Sequence, residues 1–226
     1  MNFTFGVCAI KENSHLHNKI IDSIEALKIP NYEIIFVGDV DTNSRKNINL
    51  IPFNETIVTG WITKKKNLIT EFAKYENVVY FHDYIEFDSD WYDGFLKHGD
   101  NFDVCMNRIL NLDDKRNVDW LVCYMDLRLP NAEQLLPYDK EYSNLMYIPG
   151  FYWVAKKRFM EKFPLNEKLY WGQAEDIEWS KRVRNVTKFS MNSNSTVKFL
   201  KQKDYVLNEM SPESLEILKN YETYNQ

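Results

Sequence analysis

Two short segments of this chain carry side chains that could do chemistry together. In Val78-Val79-Tyr80-Phe81-His82-Asp83-Tyr84, a β-branched and aromatic run ends abruptly in His-Asp. A buried strand delivers polar groups to the edge of an α/β sheet in this way. In Trp171-Gly172-Gln173-Ala174-Glu175-Asp176, two adjacent carboxylates follow a Trp-Gly turn at the expected start of a helix. His82 and Asp83 could ligate a divalent cation that bridges a diphosphate. Asp176 or Glu175 could take the proton of an incoming hydroxyl, with the Trp171 ring packed on the apolar face of a sugar. Together the two segments point to transfer of a group from an activated phosphate donor.

Each segment also has a plainer reading. Asp83 can cap the turn after its strand, and His82 can be a satisfied buried imidazole. Against this, Glu86, Asp88 and Asp90 follow closely, and acids so crowded repel one another unless a cation or solvent compensates. Glu175, Asp176 and Glu178 would be favoured in a first helical turn by the helix dipole alone.

The elements that must position these groups alternate through roughly the first 85 residues. Phe3 to Ile10 reads as a strand, and Asn13 or Ser14 can cap a helix to about Leu27 with Ile20, Ile21 and Ile24 on one face. Tyr32 to Val37 is an apolar strand ending at Gly38-Asp39, and the Asn-rich stretch from Asp41 to Asn49 reads as a loop. A short strand over Thr56 to Thr59, a helix from Lys64 to about Lys74 capped by Thr63, and the strand from Val78 to Phe81 follow. This order predicts a parallel sheet with right-handed crossovers. Further on, strands are expected at Val104 to Ile109, Val118 to Met125, Met146 to Ala155 (interrupted at Pro149-Gly150) and Thr196 to Leu200, with Leu129 to Tyr138 as loop. Helices are expected over Ser89 or Asp90 to Leu96, Lys156 to Lys162, Glu175 to Arg184 and from Ser211-Pro212 onward. No repeat or flexible linker divides the 226 residues, so a single domain is expected.

Ligands of such sheets bind outside the carboxyl ends of the strands. The polar residues there are Lys11 to Asn13, Asp39, and His82 with Asp83. Asp39 can accept from a nucleobase or ribose, or simply close the turn after Gly38; alone it favours the turn. Lys65, Lys66 and Asn67 fall at a helix N-terminus, where cations oppose the dipole. A phosphate would remove that conflict; a solvated basic face is the other reading. Lys198, Lys201 and Lys203 can be phosphate clamps or solvated charges.

Composition sets outer limits. A net charge of −5 argues against general nucleic-acid binding. No run approaches the roughly 18 apolar residues of a transmembrane helix. The N-terminus leads directly into a strand-like run with no signal-peptide pattern. Cys8, Cys105 and Cys123 form an odd and sparse set, which fits buried thiols in a reducing compartment. A cytoplasmic protein is expected.

Taken in order, the segments resemble the GT-A fold nucleotide-sugar glycosyltransferases, particularly the inverting, family-2-like group. The resemblance runs from about Phe3 to Leu200. It rests on Phe5-Gly6-Val7-Cys8-Ala9-Ile10, on the second strand ending in Gly38-Asp39, and on Lys66-Asn67 before the strand Val78 to His82. His82-Asp83-Tyr84 stands in the place of the family's Asp-x-Asp motif. Gly150, Pro164-Leu165-Asn166-Glu167 and Trp171-Gly172-x-x-Glu175-Asp176-x-Glu178 look like its acceptor segment with a Glu-Asp base motif.

The resemblance implies a mixed, mostly parallel α/β sheet flanked by helices, with residues 1–90 binding the donor and 91–226 the acceptor. It implies Ala9, Ile10, Lys11 and Asp39 around the nucleotide, Lys66 and Asn67 near the ribose or diphosphate, and Asp83 with His82 on Mn2+ or Mg2+. It implies Asp176 as general base, with Glu175, Gly150, Trp171 and Gly172 meeting the acceptor. The donor would be a UDP- or GDP-sugar, and the acceptor a glycan or lipid-linked glycan of polysaccharide biosynthesis. Two departures stand out. His-Asp-Tyr supplies one carboxylate fewer than Asp-x-Asp, and no histidine follows His98 to complete a metal site. A lysine can take over part of the metal's charge, or the chain can be a degenerate, non-catalytic nucleotide- or sugar-binding protein. A nucleotidyltransferase ranks lower, because Ile10-Lys11-Glu12-Asn13 lacks the glycines of a phosphate loop.

Overall fold

The first half is built on strands whose side chains are apolar on both faces. Strand β1 (Phe3–Cys8) is buried at every position, β2 (Tyr32–Val37) at all but its first and β4 (Asn77–His82) at all but its last. Such runs suit a parallel sheet covered by helices on both sides. β1 pairs in parallel with both β2 and β4. The edge strand β3 (Ile48–Ile51) pairs in parallel with β2. Helix α1 (Ser14–Ala26) links β1 to β2 and buries Ile20, Ile21 and Ile24. Helix α2 (Ile62–Phe72) precedes β4 and buries Ile69. That helix lies so close to β1 that a Cβ on Gly6 would stand 2.2 Å from Ile69 Cγ2, so only glycine fits there.

In the computed structural model, residues 1–38, 40, 47–54, 56, 59–123, 133–140, 143–205 and 207–224 are described. Among them one sheet of eight strands runs in the order β3-β2-β1-β4-β9-β6-β10-β5, where β5 is Ile85–Phe87, β6 Val104–Leu110, β9 Tyr152–Lys156 and β10 Phe189–Phe199. β9 is antiparallel to both β4 and β6, and β5 is antiparallel to β10. β10 runs parallel to β6. Six strands therefore share one direction, and the carboxyl ends of β2, β1, β4 and β10 open on one edge. Helices α3 (Trp91–His98), α4 (Lys157–Lys162), α5 (Glu175–Val183) and α6 (Pro212–Tyr224) complete the fold. A small second sheet pairs β7 (Leu121–Cys123) with β8 (Glu133–Leu135). The mixed, mostly parallel sheet with flanking helices is the architecture expected from the sequence. No helix among the described residues is long and apolar enough to cross a membrane.

The differences from the sequence reading have local causes. Ile48 and Asn49, expected at the end of a loop, open the strand Ile48–Ile51, because an exposed edge strand can keep an Asn-rich composition. The expected strand over Thr56 to Thr59 falls partly outside the described residues, and Thr56 and Thr59 themselves lie in turns. Glu133–Leu135 is strand within a stretch expected as loop. β9 begins only at Tyr152, while Met146 makes an isolated bridge to Val122. β10 begins at Phe189, well before Thr196, through a Ser- and Asn-rich stretch. Its buried polar groups satisfy one another: Asn192 Nδ2 donates to Ser195 Oγ at 2.8 Å, and Ser195 Oγ donates to the Trp91 carbonyl at 2.7 Å.

Candidate active site

The register of β1 with its neighbours sets Cys8 beside both Val37 and His82. Ile10-Lys11, Gly38 and His82-Asp83 consequently emerge at one sheet edge. Two adjoining pockets open there. One, of about 660 Å3, is lined by Lys11, Glu12, Gly38, Val40, Pro52 and Phe53 among others. The second, of about 450 Å3, is lined by residues including Ile10, Lys65, His82, Asp83, Tyr84, Trp171, Lys201 and Lys203. Glu12 borders both. Asp39 lies outside the described residues.

Asp83 is 2% exposed and turned into the protein. Its Oδ2 accepts the Ile10 amide at 2.7 Å and faces His17 Nε2 at 3.2 Å, while Oδ1 accepts Asn13 Nδ2 at 2.6 Å. The carboxylate thus fastens the turn after β1 and the start of α1 to the end of β4. Asn13 stands at the N-cap position of α1 but its side chain makes no capping hydrogen bond and is committed to Asp83. His82 Nδ1 shares a hydrogen bond with the Tyr84 hydroxyl at 2.9 Å, and its buried Nε2 has no partner among the described residues. Burial and the nearby Lys66, Lys203, Lys65 and Lys201 hold His82 well below the usual imidazole range, so the ring is neutral at pH 7.

These residues do not fit the expected divalent cation. Metal sites for Mn2+ or Mg2+ gather several oxygen ligands. Here the single carboxylate beside His82 already makes three protein contacts. No group of three or more His, Cys, Asp or Glu side chains among the described residues is placed to hold a metal. As placed here, His82 and Asp83 do not form a cation site by themselves; Asp83 ties the pocket floor together.

The lysines separate into distinct roles. Lys198 is paired with Asp88 at 3.2 Å and Asp114 at 3.0 Å. Lys201 and Lys203, delivered by the end of β10, stack on the Tyr84 ring at 4.2 and 4.0 Å from its centre. Leu200 N donates to the Tyr84 carbonyl at 2.8 Å and fixes this arrangement. Lys65 lines the pocket and donates to the Ala9 carbonyl at 2.7 Å.

Lys66 and Asn67 are directed elsewhere than expected. Lys66 is fully buried; its ammonium donates to the Gly150 carbonyl at 2.5 Å and lies 4.5 Å from the centre of the Trp153 ring. Burial lowers its pKa, partly offset by the nearby Glu175 and Asp176. Asn67 grips Leu165, donating to its carbonyl and accepting its amide at 3.0 Å each, and donates to Glu167 Oε1. Thr63, expected as a helix cap, lies within α2 and donates to the Leu169 carbonyl at 2.8 Å. Trp61 Nε1 donates to the Glu167 carbonyl at 2.7 Å, and Trp171 N to the Gly60 carbonyl at 2.9 Å. The start of α2 is thereby stitched to the segment 165–171, and this brings the exposed Trp171 to the pocket rim.

Gly150 joins the carboxylates to this frame. Its amide donates to Asp176 Oδ2 at 2.8 Å, and a Cβ there would stand 3.1 Å from both Asp176 Oδ2 and Glu175 Oε1. Ala174 precedes α5 in the left-handed region, at φ 56°, a conformation disfavoured for a side-chain-bearing residue. Glu175 is buried and Asp176 half-buried. Burial pushes the Glu175 carboxyl up; Lys66 opposes this and Asp176 adds to it.

No protein-family model matches the chain, and no curated protein matches it in sequence. Solved structures do match. GalNAc-T7, crystallised with UDP, GalNAc and Mn2+, superposes with a TM-score of 0.61 at 11% identity over 97% of this chain and 47% of its own. TarS of S. aureus superposes with a TM-score of 0.56 at 13% identity over 100% of this chain and 39% of its own. Its fragment 1–349 in complex with UDP gives 0.54 at 13% identity, over 96% and 63% respectively. The chain has the GT-A glycosyltransferase fold. It spans between 39% and 63% of the length of these GT-A neighbours. Within the GT-A frame, the sequence reading located the strand ends and the Glu175-Asp176 helix start. It read Asn13 as a helix cap and strand-end polar residue and missed His17; their partner Asp83 lies 70 and 66 residues away. It left Lys201 and Lys203 unseparated from Lys198, because nothing local distinguishes a stacked lysine from a paired one.

Proposed function

We propose that this chain is a glycosyltransferase that moves a sugar from a nucleotide-sugar donor to a hydroxyl of a glycan acceptor. One observation carries the reading: Trp171, just before the Glu175-Asp176 pair, lines the same pocket as His82, Lys65, Lys201 and Lys203. A cationic pocket suited to a diphosphate thus shares a wall with the acid-bearing segment.

In this reading the nucleoside lies in the larger pocket, against Lys11 and Gly38. The diphosphate lies in the second pocket. Trp171 and the Gly172 turn meet the acceptor sugar. Asp176, steadied by the Gly150 amide, takes the proton of the acceptor hydroxyl, and Glu175 orients that hydroxyl. The acceptor oxygen attacks the anomeric carbon from the side opposite the leaving group, with inversion. The bond to the phosphate oxygen breaks and its electron pair leaves with the nucleoside diphosphate. UDP is the first nucleotide to test, since two of the GT-A neighbours contain it. The Mn2+ present with GalNAc-T7 has no matching set of ligands among the described residues here, and no step is assigned to a metal.

A panel of UDP- and GDP-sugars in thermal-shift and calorimetric titrations tests the proposal. The expected result is saturable binding of at least one nucleotide sugar. Binding of free sugars with no response to any nucleotide would favour a carbohydrate-binding role instead.

A further inference from the structure

We propose that this chain holds the donor diphosphate without a divalent cation, using the ammonium groups of Lys201 and Lys203 and the Nε2–H of His82. The proposal rests on the nucleotide-sugar reading above and names the chemistry that neutralises its leaving group.

The first support is the placement of the two lysines. Both ammonium groups stack on the one Tyr84 ring. Among the described residues no carboxylate lies within ion-pair distance of either, whereas Lys198 on the same strand end has two such partners. Two cations held beside one ring repel each other unless an anion joins them. Burial and Lys201 together lower the Lys203 pKa, the direction that an absent anion would reverse.

The second support is independent. His82 lines the same pocket, and its buried Nε2 lacks a partner. A buried polar atom without a partner is costly unless a ligand supplies one. With the ring neutral, a Tyr84 hydroxyl donating to Nδ1 leaves the proton on Nε2, which then donates to a phosphate oxygen.

The third is where the two lysines stand in the reaction. Lys201 and Lys203 line the pocket beside His82. As the anomeric carbon–oxygen bond breaks, the growing charge on the leaving oxygen falls beside fixed ammonium groups, the electrostatic stabilisation that catalysis of such a step needs.

The test is calorimetric titration of UDP and GDP into the intact protein, in EDTA and then in excess Mn2+. The proposal predicts that the better nucleotide binds in EDTA and that Mn2+ changes its Kd less than about threefold. Lys201→Ala and Lys203→Ala should each weaken it at least about tenfold, and the corresponding arginine substitutions should retain binding. Thermal melts without ligand identify any variant that fails to fold, and the arginine variants then decide the matter. Binding that requires Mn2+ and ignores both lysines would overturn the clamp while leaving the donor reading intact. No binding of either nucleotide under any condition would overturn both.

Discussion

Lys66 and Asp176 grip the same glycine from its two sides. The Lys66 ammonium donates to the Gly150 carbonyl at 2.5 Å, and the Gly150 amide donates to Asp176 at 2.8 Å. One residue lies on the helix before β4, the other at the start of α5. The proposed base is therefore tied to the donor half of the molecule through a shared buried glycine. Gly150→Ala puts a methyl group 3.1 Å from both Asp176 Oδ2 and Glu175 Oε1. The variant should lose about 1–3 kcal/mol of stability and lose transfer activity more steeply than nucleotide affinity. Denaturant melts beside kinetics would check this; equal losses in both would detach Gly150 from the chemistry.

Asp83 carries a second prediction. Alanine at this position leaves the Ile10 amide, Asn13 and His17 without their shared acceptor. Asp83→Ala should destabilise the protein by about 2–4 kcal/mol in the absence of any metal, read as a shift of the urea midpoint. A metal ligand would behave otherwise: the metal-free protein would keep its stability and only a metal-dependent increment would vanish.

These residues mark how far the sequence could be read. The apolar runs of β1, β2 and β4 are buried on both faces, and their order alone implied a parallel sheet with polar residues at its carboxyl edge. The Glu175-Asp176 helix start was legible because a Trp-Gly turn precedes two acids. What was hidden depends on distant partners. Whether Asp83 points outward to a ligand or inward to Asn13 is decided by residues 70 positions away. Lys66 likewise reads as an exposed basic residue at a helix start until the Gly150 carbonyl and the Trp153 ring are seen beside it. β10 was truncated in the reading because Ser and Asn look like loop when their mutual hydrogen bonds are unknown.

Glu175 supplies a pH signature. Burial raises its carboxyl pKa above the ordinary 4.5. A raised folded-state value means that the stability it contributes is complete below about 4.5 and is lost as pH rises through the folded value. Glu175→Gln cannot ionise. The difference in Tm between variant and wild type should move in the variant's favour across that interval. Parallel Tm profiles would show that Glu175 titrates normally.

Trp171 is 73% exposed and its backbone, not its ring, makes the contact with Gly60. Trp171→Ala should change stability by less than about 0.5 kcal/mol. If the ring packs on the acceptor sugar, KM for the acceptor should rise by roughly tenfold, with donor affinity unchanged. A variant with wild-type acceptor KM would leave the ring without a role in the site.

The central claim is that a nucleotide sugar bound at the strand ends reacts under the control of Asp176. The direct measurement is the rate of nucleoside diphosphate release from a bound nucleotide sugar, with acceptor present, in wild type and Asp176→Asn. Asparagine keeps the side chain's size and can still accept the Gly150 amide, so donor Kd should be unchanged while release falls about 10²-fold or more. Equal release rates in a folded variant, or no release from any nucleotide sugar by the wild-type protein, would contradict it.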